Sequence, residues 1–235
     1  YLPSTKVYPM SETKEPQYAP FLDLRDKKGF ARFGLMSNQT WHDDPKRLAF
    51  LLSRYKFVAK MLSGKKRVLE IGCADGFASR VVRQEVGHLS AIDFDPIFID
   101  DAQNYVEERW PIEFAVHDML TGPFPGEFDG AYCIDVLEHI APENEAKFLQ
   151  NICASLTNDT ALIVGIPSLE SQEYASEISR LGHVNCKKAP DLKMVMQQYF
   201  DNVFIFSMND EVVHTGFTPL AHYVFALCCG KKSTD

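Results

Sequence analysis

Three histidines lie beside carboxylates or amides in separated stretches of the chain: His139 in CIDVLEHI, His183 in LGHVN and His214 in NDEVVHTGF. Imidazole is the side chain best matched to proton transfer near neutral pH, so each is a candidate base or substrate contact. His214 ranks first, His183 second and His139 third. A second set of residues is built for binding rather than proton transfer. In VLEIGCADGFASRVV, the small residues Gly72, Ala74 and Gly76 follow an apolar run, a pattern that lets backbone approach a ligand closely at the start of a helix. About 20 residues further on, Asp93 closes AID, where an acidic side chain can accept both hydroxyls of a ribose. The two features together imply an adenosine-type ligand. The turn is compressed to G-x-A-x-G and lacks the third glycine of the dinucleotide fingerprint. Glu70, just before it, suits an ammonium group or a hydrogen-bond network better than a pyrophosphate.

These residues need elements to hold them. Asp44-Pro45 reads as the start of a helix, with Leu48, Leu51, Leu52, Tyr55, Ala59 and Leu62 recurring at helical spacing as far as Ser63-Gly64. Strands are expected at Arg67–Ile71, Leu89–Asp93, Ile112–Val116, Gly130–Ile134 and Ala161–Ile166. Helices between them are expected at Phe77–Val86, Pro96–Arg109 and from Pro142 through Leu156. Strands alternating with helices predict a parallel sheet covered on both faces. A short helix around Leu192 to Tyr199 precedes two strands, Val203–Met208 and Tyr223–Cys228, separated by a loop too short for a crossover helix. The last strand is therefore expected to run antiparallel. The fold class is a doubly wound α/β domain with a seven-stranded, mostly parallel sheet and an antiparallel C-terminal strand. One domain is expected over 1–235: an irregular arm or cap over 1–40, which holds four prolines, a lid helix over 41–64 and a Rossmann-like core from 65.

At this point the chain resembles a class I S-adenosylmethionine-dependent methyltransferase. EIGCADG (Glu70 to Gly76) is similar to that family's E/D-x-G-x-G-x-G turn, with Ala74 in place of the middle glycine and Cys73 within the turn. AIDFD places Asp93 and Phe94 at the ribose-binding end of the second strand. HDML places Asp118 where the family often bonds the adenine amino group, with Met119 beside the ring. FDGAYCIDVLEHI is similar to the fourth-strand segment, whose backbone at Cys133 and Ile134 would face the methionine portion. The resemblance covers about residues 65 to 170 and, by topology, the final hairpin. It implies S-adenosylmethionine as the methyl donor and S-adenosylhomocysteine as product, but it leaves the acceptor open because loops rather than the fold set it.

Ligands in such sheets bind beyond the carboxyl ends of the parallel strands. Three loops are expected there: one with Asp135, Glu138 and His139, one with Tyr174, His183 and Asn185, and one with Asp210, Glu211 and His214. Trp41, Arg47, Arg54 and Tyr55 are lid candidates, an Arg being able to pair with the cofactor's carboxylate. His183, His214 and a carboxylate could hold a metal, but no short-range ligand spacing supports one and none is expected.

A chain of 235 residues with 46% apolar residues can bury a large core. A net charge of −8 disfavours a surface that tracks phosphates, so a nucleic-acid substrate is not expected. The apolar runs fall well short of a membrane span. The six cysteines form no C-x-x-C pair and read as reduced thiols. A soluble, cytoplasmic enzyme acting on a polar small molecule is the resulting expectation, with methyl transfer to oxygen or nitrogen of, for instance, a sugar or a nucleotide-linked intermediate. The rivals are a protein that keeps the adenosylmethionine pocket as a partner or sensor, and an NAD-dependent oxidoreductase, for which both the turn and the hairpin ending are wrong.

Overall fold

A computed structural model describes residues 13–104 and 107–233, the side chain of residue 178 excepted. Residues 1–32 and 33–235 form two compact units. In the first, a 3-10 turn (Pro16–Tyr18) leads into α1 (Ala19–Lys28), opened by a proline and stopped by Gly29 at φ 73°. That stretch was expected to be irregular. It folds as a helix because Pro20 fixes φ at the first turn and Arg25, Lys27 and Lys28 complement the C-terminal end of the macrodipole.

The second unit begins with α2 (Leu35–Asp43) and α3 (Lys46–Met61). These are followed by β1 (Arg67–Ile71), α4 (Ser79–Arg83), β2 (His88–Asp93), α5 (Pro96–Gln103), β3 (Glu113–Val116) and β4 (Phe128–Ile134). After them come α6 (Glu145–Ala154), β5 (Leu156–Pro167), α7 (Glu177–Gly182), α8 (Ala189–Met196), β6 (Phe200–Asn209), β7 (Val212–His214) and β8 (Tyr223–Lys231). Two expected helices are shorter than the apolar spacing suggested. The one expected from Phe77 is confined to Ser79–Arg83, and α5 ends at Gln103; Tyr105 and Val106 lie outside the described residues and Glu107 to Trp110 are not helical.

The strands form one sheet in the order β3-β2-β1-β4-β5-β8-β6-β7. The first five pair in parallel, and β8 inserts antiparallel between β5 and β6. The sheet has eight strands rather than seven, because Val212–His214 folds back on Ser207–Asn209 as an extra edge strand. Asp210, at φ 49°, makes that tight reversal. Alternation along the strands sorts two cores. Leu69, Ile71, Cys133, Leu162, Val164, Val224 and Ala226 face Phe148, Leu149 and Ile152 of α6 and Leu192 and Met196 of α8. Val68, Ala91, Tyr132, Ile163 and Phe225 face Tyr55, Val58 and Ala59 of α3, Val82 of α4 and Ile99 of α5. With both faces covered, the carboxyl ends of β1, β2 and β4 are where loops can converge on a ligand. Among the described residues no helix is long and apolar enough to cross a membrane, and all six cysteines are free thiols.

Candidate active site

The turn after β1 is held from both sides by the protein itself. Gly72 (φ 77°) and Gly76 (φ 66°) adopt left-handed backbone, and a Cβ added at either would strike Val136 at 2.2 Å or the Phe114 ring at 2.6 Å. These glycines are therefore demanded by packing against the loop after β4 and against β3 as well as by any ligand's approach. Ala74 also takes a positive φ, 46°, at a cost of roughly 1 kcal/mol for a residue with a Cβ. Its N–H donates to Asp93 Oδ2 at 2.9 Å, while the Asp95 N–H donates to Asp93 Oδ1 at 3.0 Å. Asp93 is 7% exposed. An ionised carboxylate has about four lone-pair sites, so with one backbone donor on each oxygen it retains capacity for two hydroxyls. This donor set fits a ribose. Phe94, next in sequence, is exposed. Cys73 is buried, and burial pushes its thiol far above the usual range, so it is an inert packing group.

Sequence reasoning missed Asp75. Its Oδ2 accepts from the Ser37 N–H at 2.7 Å, and its Oδ1 from the Ser37 hydroxyl at 3.2 Å and the Phe77 N–H at 3.1 Å. A Cβ on Gly34 would overlap the Asp75 side chain at 2.3 Å. Phe33 stacks on Trp41 and meets Phe77 edge-on, with ring centroids 5.5 and 5.2 Å apart. Helix α2 is thus fastened to the glycine turn, with Leu35 N–H also donating to Asp101 at 2.7 Å. The signal available in the sequence was an acidic residue inside a glycine turn, but its partner 38 residues upstream was not legible there. Trp41 takes part in this aromatic layer. Tyr55 does not act as a lid, because it is buried in the core of α3.

Glu70, expected to serve the cofactor, is closed off from solvent and paired within the protein. It is 1% exposed and lies under α3, where the Tyr55 hydroxyl donates to its Oε1 at 2.9 Å. Burial pushes its carboxyl up to about 7, opposed by the hydroxyls of Ser79, Tyr132 and Tyr55. The folded state then keeps a proton that an unfolded carboxyl releases above about pH 4.5. The stability this confers is complete below about pH 4.5 and lost as pH rises through about 7, an effect on the order of 3 kcal/mol. Urea melts at pH 5 and pH 8 are expected to show Glu70→Gln gaining on the wild type at the higher pH. Parallel pH profiles for the two proteins would exclude this assignment.

Beyond β4 a second polar cluster faces the same end of the sheet. Asp135, at φ 58°, accepts from Arg54 Nη1 at 2.6 Å, and that guanidinium lies 3.9 Å from the Tyr223 ring centroid. Arg54 therefore spends its charge on Asp135. Glu138, in the 3-10 turn Leu137–His139, is fully buried, and neither of its carboxylate oxygens has a hydrogen-bond partner among the described residues. Burial, reinforced by Asp135, holds its carboxyl well above the usual range. His139 and His183 meet with ring centroids 5.1 Å apart. Burial and then His139 hold the His183 imidazole below its ordinary value, so it is neutral at pH 7 and can act as a base or a ligand.

His214 is not part of this cluster. It lies on β7, the outermost strand, five strand positions from β1, or roughly 24 Å at 4.8 Å per strand. Its Nε2 contacts Asn209 Oδ1 at 2.8 Å and its Nδ1 accepts from Gly216 N–H at 2.9 Å. The ring closes its own hairpin. The topological argument placed its loop at the correct end of the sheet but could not place it laterally, so His139 and His183 replace it as the central pair. Asp118 Oδ1 accepts from Leu120 N–H at 2.8 Å, capping a turn, and its side chain is half-buried. Met119 is 3% exposed and packs into the core with Ile71 and Ile92 rather than standing open beside a ring. The Cys133 and Ile134 side chains are buried on opposite faces, so only their backbone can meet a ligand.

The sequence profile of the family described as "Methyltransferase domain" matches residues 68–159. A ubiquinone biosynthesis O-methyltransferase of Xanthomonas campestris pv. campestris (strain B100) is 29% identical over 132 residues, 53% of this chain and 54% of that protein. The chain thus spans about half the length of the curated relatives it matches. The N-methyltransferase NodS from Bradyrhizobium japonicum WM9, solved with S-adenosyl-l-homocysteine, shares the fold at a TM-score of 0.59 and 21% identity, over 81% of this chain and 90% of that one. Magnesium protoporphyrin IX methyltransferase from Synechocystis PCC 6803, also solved with that product, shares it at a TM-score of 0.55 and 15% identity, over 90% and 97% of the two chains.

Proposed function

Because this chain is built around a class I S-adenosylmethionine-dependent methyltransferase domain, we propose that it moves a methyl group from that cofactor to oxygen or nitrogen of a polar small molecule, for instance a sugar or a nucleotide-linked intermediate. The observation that carries the reading is Asp93, held by two backbone donors beside a left-handed glycine turn with acceptor capacity to spare. The bound cofactor supplies an electrophilic methyl on a sulfonium. In this reading the chain's own residues do the rest. The 72–76 backbone and Asp93 hold the adenosyl group, and the backbone at Cys133 and Ile134 faces the amino-acid portion. The aromatic layer of Phe33, Trp41 and Phe77 excludes water above the turn. His139 and His183 stand where an acceptor proton can be removed. The polar lining favours a hydrophilic acceptor over a lipid.

Calorimetry with S-adenosylhomocysteine, followed by transfer of a labelled methyl group to a panel of sugars, nucleotide sugars, phenols and amines, tests this. Saturable binding at one site per chain and label on a polar acceptor are expected. A protein that binds a nicotinamide dinucleotide and ignores both cofactor forms would refute the reading.

A further inference from the structure

We propose that Glu138, His139 and His183 form a binding site for one divalent first-row transition-metal ion of the manganese or zinc type. Each of the three offers a ligating atom within 4.8 Å of the other two. Ligands around an ion held at about 2.1 Å stand roughly 3 Å apart, so binding draws the three groups inward without a change of fold.

Three independent features make this a built site rather than a chance cluster. The Glu138 carboxylate is fully buried and both its oxygens lack a partner among the described residues. A buried carboxyl in that state stays protonated unless a cation takes the proton's place, and the nearest arginine, Arg54, is committed to Asp135 and to the Tyr223 ring. Both imidazoles are already oriented for coordination. His139 Nδ1 is 2.9 Å from the Gly182 carbonyl and His183 Nδ1 is 2.8 Å from Gln172 Oε1. A carbonyl oxygen can only accept, so each Nδ1 carries the proton and each Nε2 presents a lone pair. The Gln172 amide is itself fixed, its Nε2 donating to Ser168 O at 3.2 Å. A ligating imidazole whose other nitrogen donates to a carbonyl is the arrangement that sets tautomer and ring angle in metal sites.

The scaffold is also tied together. The backbone oxygen of Glu138 accepts from the Val184 and Asn185 N–H groups at 2.8 and 2.9 Å, which joins the loop carrying His183 to the turn carrying the other two ligands. Arg54, Asp135 and Glu138 together leave one net negative charge at the cluster when both carboxylates are ionised. Two imidazoles and one carboxylate suit borderline ions, with zinc binding more tightly than manganese. Three protein ligands leave coordination positions open. An acceptor hydroxyl bound there would be more acidic, which favours oxygen over nitrogen as the methyl acceptor and leaves the two imidazoles as ligands rather than as its base; this role, though not metal binding itself, rests on the proposed methyltransferase activity.

The test uses the full chain, stripped with a chelator and dialysed. Mn2+ is titrated by loss of its free-ion paramagnetic resonance signal and Zn2+ by calorimetry, with S-adenosylhomocysteine binding measured in parallel. One ion per chain is expected. Glu138→Gln and His183→Asn should each weaken binding by about 100-fold or more, and Gln172→Leu by about 10-fold through the freed imidazole. Circular-dichroism melts check that the variants fold; His183 is only half-buried, so its variant keeps the test open if the Glu138 variant does not fold. No saturable binding of either ion to the wild type, or undiminished binding by a folded variant of Glu138 or His183, overturns the inference. In the wild type, absence of metal binding with cofactor binding intact sinks the metal site alone, and metal binding without cofactor binding sinks the methyltransferase reading alone.

Discussion

Asp93→Ala is expected to weaken S-adenosylhomocysteine binding by about 100-fold or more. Each hydroxyl bonded to an ionised carboxylate contributes about 1.5–3 kcal/mol, and Asp93 has capacity for two. The same side chain holds the Ala74 and Asp95 N–H groups, so the substitution also loosens the turn and leaves two amides to find water. Unfolding without ligand should therefore drop by about 1–2 kcal/mol. Asp93→Asn separates the two effects, because it keeps an acceptor for one amide while removing the charge. Calorimetry of the three proteins, normalised by their melting curves, reads the result. A dissociation constant within threefold of wild type for Asp93→Ala would remove Asp93 from the cofactor site and leave it a role in the turn alone.

Gly72→Ala should be the most destabilising single-methyl change in the turn. Its Cβ would come within 2.2 Å of Val136 Cγ2 on a backbone at φ 77°. Overpacking costs typically 1–3 kcal/mol, and the left-handed conformation adds roughly 1–2 kcal/mol for a residue with a Cβ. A total of about 2–5 kcal/mol is a large share of the stability of an ordinary domain. Pairing it with Val136→Ala removes the obstructing methyl, so the double mutant should recover most of the steric part and retain the conformational part. Chemical denaturation of the four proteins forms the cycle. If Gly72→Ala melts like the wild type, the close approach of the β4 loop to the turn is wrong. If Val136→Ala gives no recovery, the strain lies in the backbone alone.

Much of the cofactor half was legible because it is local. The glycine turn, Asp93 at the end of the second strand and the alternation of apolar strands with helices all follow from residues close in sequence, whose geometry is limited by φ/ψ sterics and side-chain period. The antiparallel ending followed from a loop too short for a crossover. The acceptor half was less legible because it is a matter of lateral position. His214 and His183 both emerge at the correct end of the sheet, but β8 inserts between β5 and β6 and carries His214 to the far edge. Nothing in EVVHTGF records that insertion. Glu138 read as one of several carboxylates in the three loops at the mouth, and only burial without a hydrogen-bond partner among the described residues marks it out.

The amino-acid sequence by itself determined the doubly wound fold, the placement of the glycine turn and of Asp93 at the ends of the first two strands, and S-adenosylmethionine as the cofactor, since each depends on short-range pattern. Tertiary structure decided that Glu70 pairs with Tyr55, that Asp75 fastens α2 to the turn, and that His139 and His183 rather than His214 stand together. Those pairings join residues 15, 38 and 44 positions apart. They exist because packing two cores against one twisted sheet brings these chain segments together, and no local preference encodes that.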